Sequence, residues 1–260
     1  MRHSLISILA LCALSTASSA AARAEAERPN ILWICTDQQR WDTIHALGNE
    51  CIDTPNLDRL VGEGVAFTHA HCNAPICTPS RASFLTGMYP STVQGCKNGA
   101  AYWPEQAPLV TKLLKDEGYV CGLAGKLHLS TAMTNNPEQR PKDDGYTEFH
   151  YSHGPAQGGD KNDYLLWLKE KGLTYKQVKA MPWKEQVPLH QTTWCCDKAI
   201  AFMKRHGGEP GTPWLFSVNI FDPHGPLDPP KDFAGRYHLD AIPAPLWRDS
   251  DLTEKAVFNE

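Results

Sequence analysis

The chain has 260 residues, 42% of them hydrophobic and 21% charged, with a formal net charge of −4. That balance supports one sizeable core or part of a larger one. An acidic surface argues against nucleic acid as a partner, so attraction of any anionic substrate must be local to a site.

Arg2, a mostly apolar run from Leu5 to Leu14 and small residues ending in Ala22-Arg23-Ala24 read as a secretory signal over residues 1–24. The run is too short to span a bilayer permanently, although an uncleaved anchor is the competing reading. No later stretch is apolar for long enough to cross a membrane. The expected product is exported, periplasmic or secreted, with residues 25–260 forming one domain. Cleavage removes Arg2 and Arg23 and makes that product more acidic.

Asn30–Thr36 is a continuous apolar run that predicts a strand buried on both faces, ending in Asp37-Gln38. Thr54-Pro55 reads as a helix start, with Leu57, Leu60 and Val61 inward and Gly62 and Gly64 at the end. Val65–Ala70 predicts a short strand. It delivers the chain to Cys77–Gly87, C-T-P-S-R-A-S-F-L-T-G. Pro79 suits a first helical turn, and Ser80 and Ser83 could bond free amides there. Cys77 then lies at a helix N-terminus, where the dipole and unpaired N–H groups favour an anion. Arg81 follows four residues on and can reach the same spot as a two-pronged donor.

Pro108 starts another predicted helix, with Leu109, Val110, Leu113 and Leu114 on one side and Gly118 at its end. Tyr119–Ala124 predicts a strand, with Lys126 and His128 just beyond it. Thr131–Leu189 is polar and weakly periodic, holding one predicted helix over Tyr164–Lys171; His150, His153 and Trp183 are its candidates for touching a ligand. From Cys195 to Met203 two rows at helical spacing appear, Cys195, Ala199, Phe202 and Cys196, Ile200, Met203, stopped by Gly207-Gly208. Trp214–Phe221 predicts a further buried strand, and Asp222-Pro223-His224 follows at once.

This order predicts an α/β fold with a mostly parallel sheet covered by helices on both faces. Ligands in such sheets bind beyond the carboxyl ends of the strands. Three strand ends carry groups fit for metal, anion or proton chemistry: Asp37-Gln38, Lys126 with His128, and Asp222 with His224.

Cys12 leaves with the signal and Cys77 is claimed for chemistry, so Cys35, Cys51, Cys72, Cys96, Cys121, Cys195 and Cys196 remain. Pairing cannot be read from spacing, and Cys35 and Cys121, inside apolar runs, read as core thiols. No spacing suggests zinc, and His69 and His71 read as structural or surface residues.

Cys77–Gly87 resembles the C-x-P-S-R-x-x-x-L-T-G signature of the type I sulfatases of the alkaline phosphatase superfamily. The resemblance implies that a formylglycine-generating or sulfatase-maturating enzyme oxidises Cys77 to formylglycine, whose hydrate is the nucleophile. N-I-L-W-I-C-T-D resembles the family's first strand, which implies a divalent cation, usually calcium, on Asp37, Gln38 and the modified Cys77. Many members carry two aspartates where this chain has Asp37-Gln38; glutamine offers a neutral oxygen instead. G-K-L-H at Gly125–His128 and D-P-H-G-P at Asp222–Pro226 are similar to the family's G-K-x-H and P-H-x-P. They imply that Lys126 holds sulfate and nucleophile, that His128 assists the hydrate and that His224 meets the leaving group. Arg81 would help hold the modified residue.

The resemblance implies hydrolysis of a sulfate ester on a sulfated small molecule or glycan. The Asp37-Gln38 pair keeps a phosphodiester or phosphonate monoester hydrolase open, and a noncatalytic binding fragment is the third reading. The family's later acid pair and second lysine have no counterpart between Asp228 and Glu260. The chain therefore reads as the N-terminal portion of a longer catalytic domain, inactive or very weakly active alone.

Overall fold

The computed structural model describes residues 28–93, 97–99, 103–104, 107–132, 138–208, 211–244 and 247–256. The predicted signal and Cys96 lie outside the described residues. Four strands, β1 (Ile31–Thr36), β2 (Val120–Gly125), β3 (Glu148–Tyr151) and β4 (Trp214–Ile220), form one sheet in the order β1-β4-β2-β3. Every pairing is parallel, with Ile31 opposite Leu215 and Val120 opposite Trp214. The longer helices are α1 (Pro55–Glu63), α2 (Cys77–Thr86), α3 (Val110–Asp116), α4 (Asp163–Glu170), α5 (Gln191–His206) and α6 (Asp249–Ala256).

The two central strands explain the continuous apolar runs, because both of their faces are covered. On one face Cys121, Leu123 and Leu215 pack with Leu85 of α2 and with Leu109 and Leu127. On the other, Ala124, Phe216 and Val218 meet Trp194, Phe202, Tyr164 and Leu168 from α4 and α5. The row Cys195, Ala199, Phe202 is buried as its spacing predicts, while Ile200 of the second row is exposed.

Several expectations are corrected. β1 is as apolar as the central strands, yet it is an edge strand, and Leu32, Trp33 and Ile34 are exposed. Periodicity cannot separate an edge from a centre, because the neighbour is chosen by tertiary pairing. Leu57 and Leu60 of α1 are exposed rather than inward, and α1 continues through Gly62 to end against Gly64. Val65–Ala70 is not a strand; Val65 and Phe67 lie open among turns with His69 and His71 exposed. In α3 the buried side chain is Thr111, whose hydroxyl donates to Asp144 O at 2.6 Å, while Val110 and Leu113 face outward. β3, short and half polar, lay hidden inside the weakly periodic stretch. α4 starts at Asp163 because Asn162 Oδ1 accepts the Tyr164 N–H at 3.0 Å.

An edge of apolar side chains with unpaired backbone groups is a site for association. Ile34→Lys is expected to lower self-association, read as light scattering at matched concentration. Unchanged scattering would remove β1 as the adhesive edge.

Candidate active site

Because all four strands run the same way, their carboxyl ends meet at one edge of the sheet. Asp37 follows β1, Lys126 follows β2, His153 comes two residues after β3, and Asp222 to His224 follow β4. The Asp37 N–H donates to Asp222 O at 3.3 Å and ties two of these ends together.

Cys77 is the first residue of α2, after Ile76, which is extended and makes no side-chain cap. With Ile76 in that place, Ser80 and Ser83 fall inside the helix and do not cap it. Ser80 N–H already bonds Ile76 O at 3.0 Å, and Ser83 Oγ accepts from Asn73 Nδ2 at 2.6 Å. The cap comes from a distant loop instead. Asn98 Oδ1 accepts the Thr78 N–H at 3.0 Å, and Thr78 Oγ1 accepts the Gly99 N–H at 3.1 Å. The sulfur therefore stands at a helix N-terminus, as its sequence neighbours indicate.

Around that sulfur the sequence-named charges converge. Cys77 Sγ lies 3.8 Å from Asp37 Oδ1 and 3.9 Å from Lys126 Nζ. Lys126 Nζ donates to Asp37 Oδ2, and Lys126 is only 1% exposed. Arg81, also buried, donates from one arm to Lys126 O at 2.7 Å and brings the other to 3.7 Å from Asp37 Oδ2. It is a clamp on the Asp37–Lys126 pair rather than an open two-pronged anion donor. Burial opposes the charge on Asp37, but Lys126 and Arg81 outweigh it and hold the carboxyl below its ordinary range.

His224 completes the front of the group. Its Nδ1–H donates to Gly225 O at 2.6 Å, because a carbonyl only accepts, and this leaves Nε2 for a cation or substrate. Phe221 packs 4.8 Å from its ring and 5.5 Å from Lys126 Nζ. Asp37, Cys77 and His224 each offer one donor atom within 4.8 Å of the others. Oδ2 of Asp37 is taken by Lys126, so Oδ1 is the carboxylate oxygen left to a metal. This donor set fits a divalent cation, and oxygen in place of sulfur at residue 77 would make it a harder one. Gln38 stands apart. It is exposed, left-handed at φ 63°, and lines a neighbouring cleft of about 500 Å³ with Thr36, Arg40 and Asp222.

His128 sits behind Lys126 with φ 55°, its ring edge-on to His153 at 4.3 Å. Burial first, then Lys126 and Arg81, push His128 down to about 3. Burial, then His128 and Lys126, push His153 down to about 2. Both rings are neutral near pH 7. His153 is thus a buried partner of His128 rather than the surface contact it resembled in sequence, while His150 is occupied by Glu148 at 2.7 Å. Sequence reasoning also passed over Asn219, whose Nδ2 donates to Lys126 O at 2.8 Å, and Phe221. A lone amide within the apolar run Trp214–Phe221 was the signal for Asn219.

Both histidines are neutral when folded and bind protons below about pH 6.5 when unfolded, so they withdraw stability as pH falls from about 6.5 towards 3. Between pH 7 and 5 a His153→Gln variant should lose about 2 kcal/mol less than wild type. Urea titrations at both pH values test this, and equal losses would refute it.

All seven described cysteines are free. Among the described residues no helix is long and apolar enough to cross a membrane.

Residues 29–244 match the sulfatase family profile. The chain belongs to the sulfatase family. Over 244 residues it is 33% identical to an arylsulfatase of Clostridium perfringens, covering 85% of this chain and 49% of that protein. Over 179 residues it is 38% identical to a ulvan-active sulfatase of Formosa agariphila, covering 64% of this chain and 34% of that one. The chain thus spans about half or less of these curated relatives' length. Its fold resembles that of phosphonate monoester hydrolase of Agrobacterium radiobacter, with a TM-score of 0.68 at 21% identity over 88% of this chain and 48% of that one. It also resembles Ps i-CgsB in complex with k-i-k-neocarrahexaose, with a TM-score of 0.62 at 22% identity, covering 81% and 49%.

Proposed function

We propose that this chain carries the nucleophile-bearing part of a site that hydrolyses sulfate esters. The observation that carries the reading is the convergence of Asp37, Lys126 and His224 on Cys77 at one sheet edge. Oxidised to formylglycine by a maturating enzyme, residue 77 would supply a geminal diol as nucleophile. A divalent cation such as calcium, held by Asp37, residue 77 and His224, would neutralise charge on the sulfate oxygens. Gln38 is the further oxygen next to Asp37 in sequence.

The chain's own residues do the rest. Lys126, buried and fixed by Asp37 and by the backbone bond from Arg81, holds a positive charge beside residue 77. His128 is neutral near pH 7, and the burial and nearby cations that keep it so also make it a weak base there. That leaves it one ring N–H to donate and one nitrogen to accept a hydrogen bond. His224 presents Nε2 on the open side, the position from which a leaving alcohol could be protonated if that atom is not on the cation. The cleft beside Gln38 adjoins a second of about 450 Å³, walled by Val187, Leu227, Pro230 and Phe233. Apolar walls with few polar groups suit the alcohol part of an aryl or sugar ester. An exported protein, periplasmic or secreted, is in keeping with the signal expected at residues 1–24.

The test is mass spectrometry of the peptide holding residue 77 after coexpression with a maturating enzyme. The expected product has lost one sulfur and two hydrogens and gained one oxygen; an intact thiol would overturn the reading. Cys77→Ala is expected to lower any sulfate ester turnover by at least about 10³-fold. Faster turnover of a matched phosphonate ester would move the assignment to that chemistry.

A further inference from the structure

The segment that carries His128 has no regular structure to hold it. Leu127 and Leu129 are fully buried on either side, and His128 between them takes a left-handed backbone. For a residue other than glycine that conformation costs about 1 kcal/mol or more, so neighbouring structure must impose it. Left-handed turns of this kind aim successive amides at one point and form a concavity for an anion. Here the concavity is filled from within the chain. Glu138 Oε1 accepts the Leu129 N–H at 2.5 Å, and the flanking His128 and Ser130 amides act on the same carboxyl by favouring its anion. A second strap fixes the two segments together: Ser130 Oγ donates to Gln139 O at 3.0 Å and accepts the Gln139 N–H at 2.9 Å. Glu138 Oε2 is buried without a hydrogen-bond partner.

We propose that Glu138 is a positioning residue for His128, its carboxyl filling the amide nest at 128–130 and so setting where the imidazole stands behind Lys126. The proposal rests on His128 acting in the site described above, but its geometry does not depend on turnover. The charged or titratable groups that face Glu138 are Arg81, His128 and Tyr151. Burial raises the carboxyl to about 7, against the pull of the amides and of Arg81. Its proton therefore leaves near neutral pH, and the nest is tightest in the anionic form. For stability the sign is opposite to that of the histidines: a raised carboxyl favours the fold below about pH 4.5 and withdraws that support as pH rises through 7.

The test is NMR on the isotope-labelled chain from pH 5.5 to 8.5, with Glu138→Gln as the isosteric variant and Glu138→Ala as the deletion. In wild type the amides of His128, Leu129 and Ser130 should shift together with a midpoint near 7, and Glu138→Gln should abolish that step. Hydrogen-exchange protection at the Leu129 amide should fall at least tenfold in Glu138→Ala and stay within threefold of wild type in Glu138→Gln. The same step in Glu138→Gln, or undiminished protection in Glu138→Ala, would overturn the proposal. Sulfate ester turnover and the residue 77 aldehyde are measured on separate samples. Their absence would sink the functional reading while the amide titration still decides this one.

Discussion

Asp37→Ala is expected to destabilise the chain by about 3–5 kcal/mol, a large share of the stability of an ordinary domain. Asp37 is buried, and its carboxylate is the anion that Lys126 and Arg81 share. Removing it leaves two buried cations close together with no counter-charge, which costs far more than the loss of one hydrogen bond. For a chain of this size the melting temperature should drop by roughly 10 °C. Asp37→Asn keeps an acceptor for Lys126 and should cost less. Asp37→Ala combined with Lys126→Met should recover part of the loss, with Arg81 still unpaired. Calorimetry on the four proteins decides the matter; a melting temperature unchanged in Asp37→Ala would mean that the pair is not the electrostatic centre of the site.

Gly125→Ala should be still more damaging, at about 4 kcal/mol or above. Gly125 closes β2 immediately before Lys126, with φ 109°, and pairs with Asn219 of β4. A methyl group there would lie 2.0 Å from Asn219 O and 2.8 Å from Asn219 C. Those atoms are backbone of a central strand, so no side-chain rotation can relieve the clash. The same carbonyl accepts the Lys126 N–H at 3.0 Å, and Asn219 Nδ2 holds Lys126 O. Parting β2 from β4 at this point would move Lys126 and His128 away from residue 77. Urea unfolding measures the loss, and wild-type stability in Gly125→Ala would refute the close approach.

Gly125 also shows why the glycine of G-K-L-H belongs to the site although it carries no chemistry. Its role is to let two strands meet closely enough for the next residue to enter a buried pair. Glu138 is the converse case. It carries a charge and touches the site's backbone, yet nothing nearby in sequence sets it apart from a surface glutamate.

The sequence by itself determined the helix start at Cys77, the alternation of strands and helices, and the residues at three strand ends. Those features are local: a proline-led helix start after Cys77, apolar runs at Asn30–Thr36, Tyr119–Ala124 and Trp214–Phe221, and polar residues directly after each. Only the tertiary structure decided that β1 is an edge, that Arg81 is consumed as a clamp, that Asn98 rather than a serine caps α2, and that His153 lies buried against His128. Each of these depends on a partner 20 or more residues away, and a sequence pattern of period 2 or 3.6 holds no information about which distant chain will supply it.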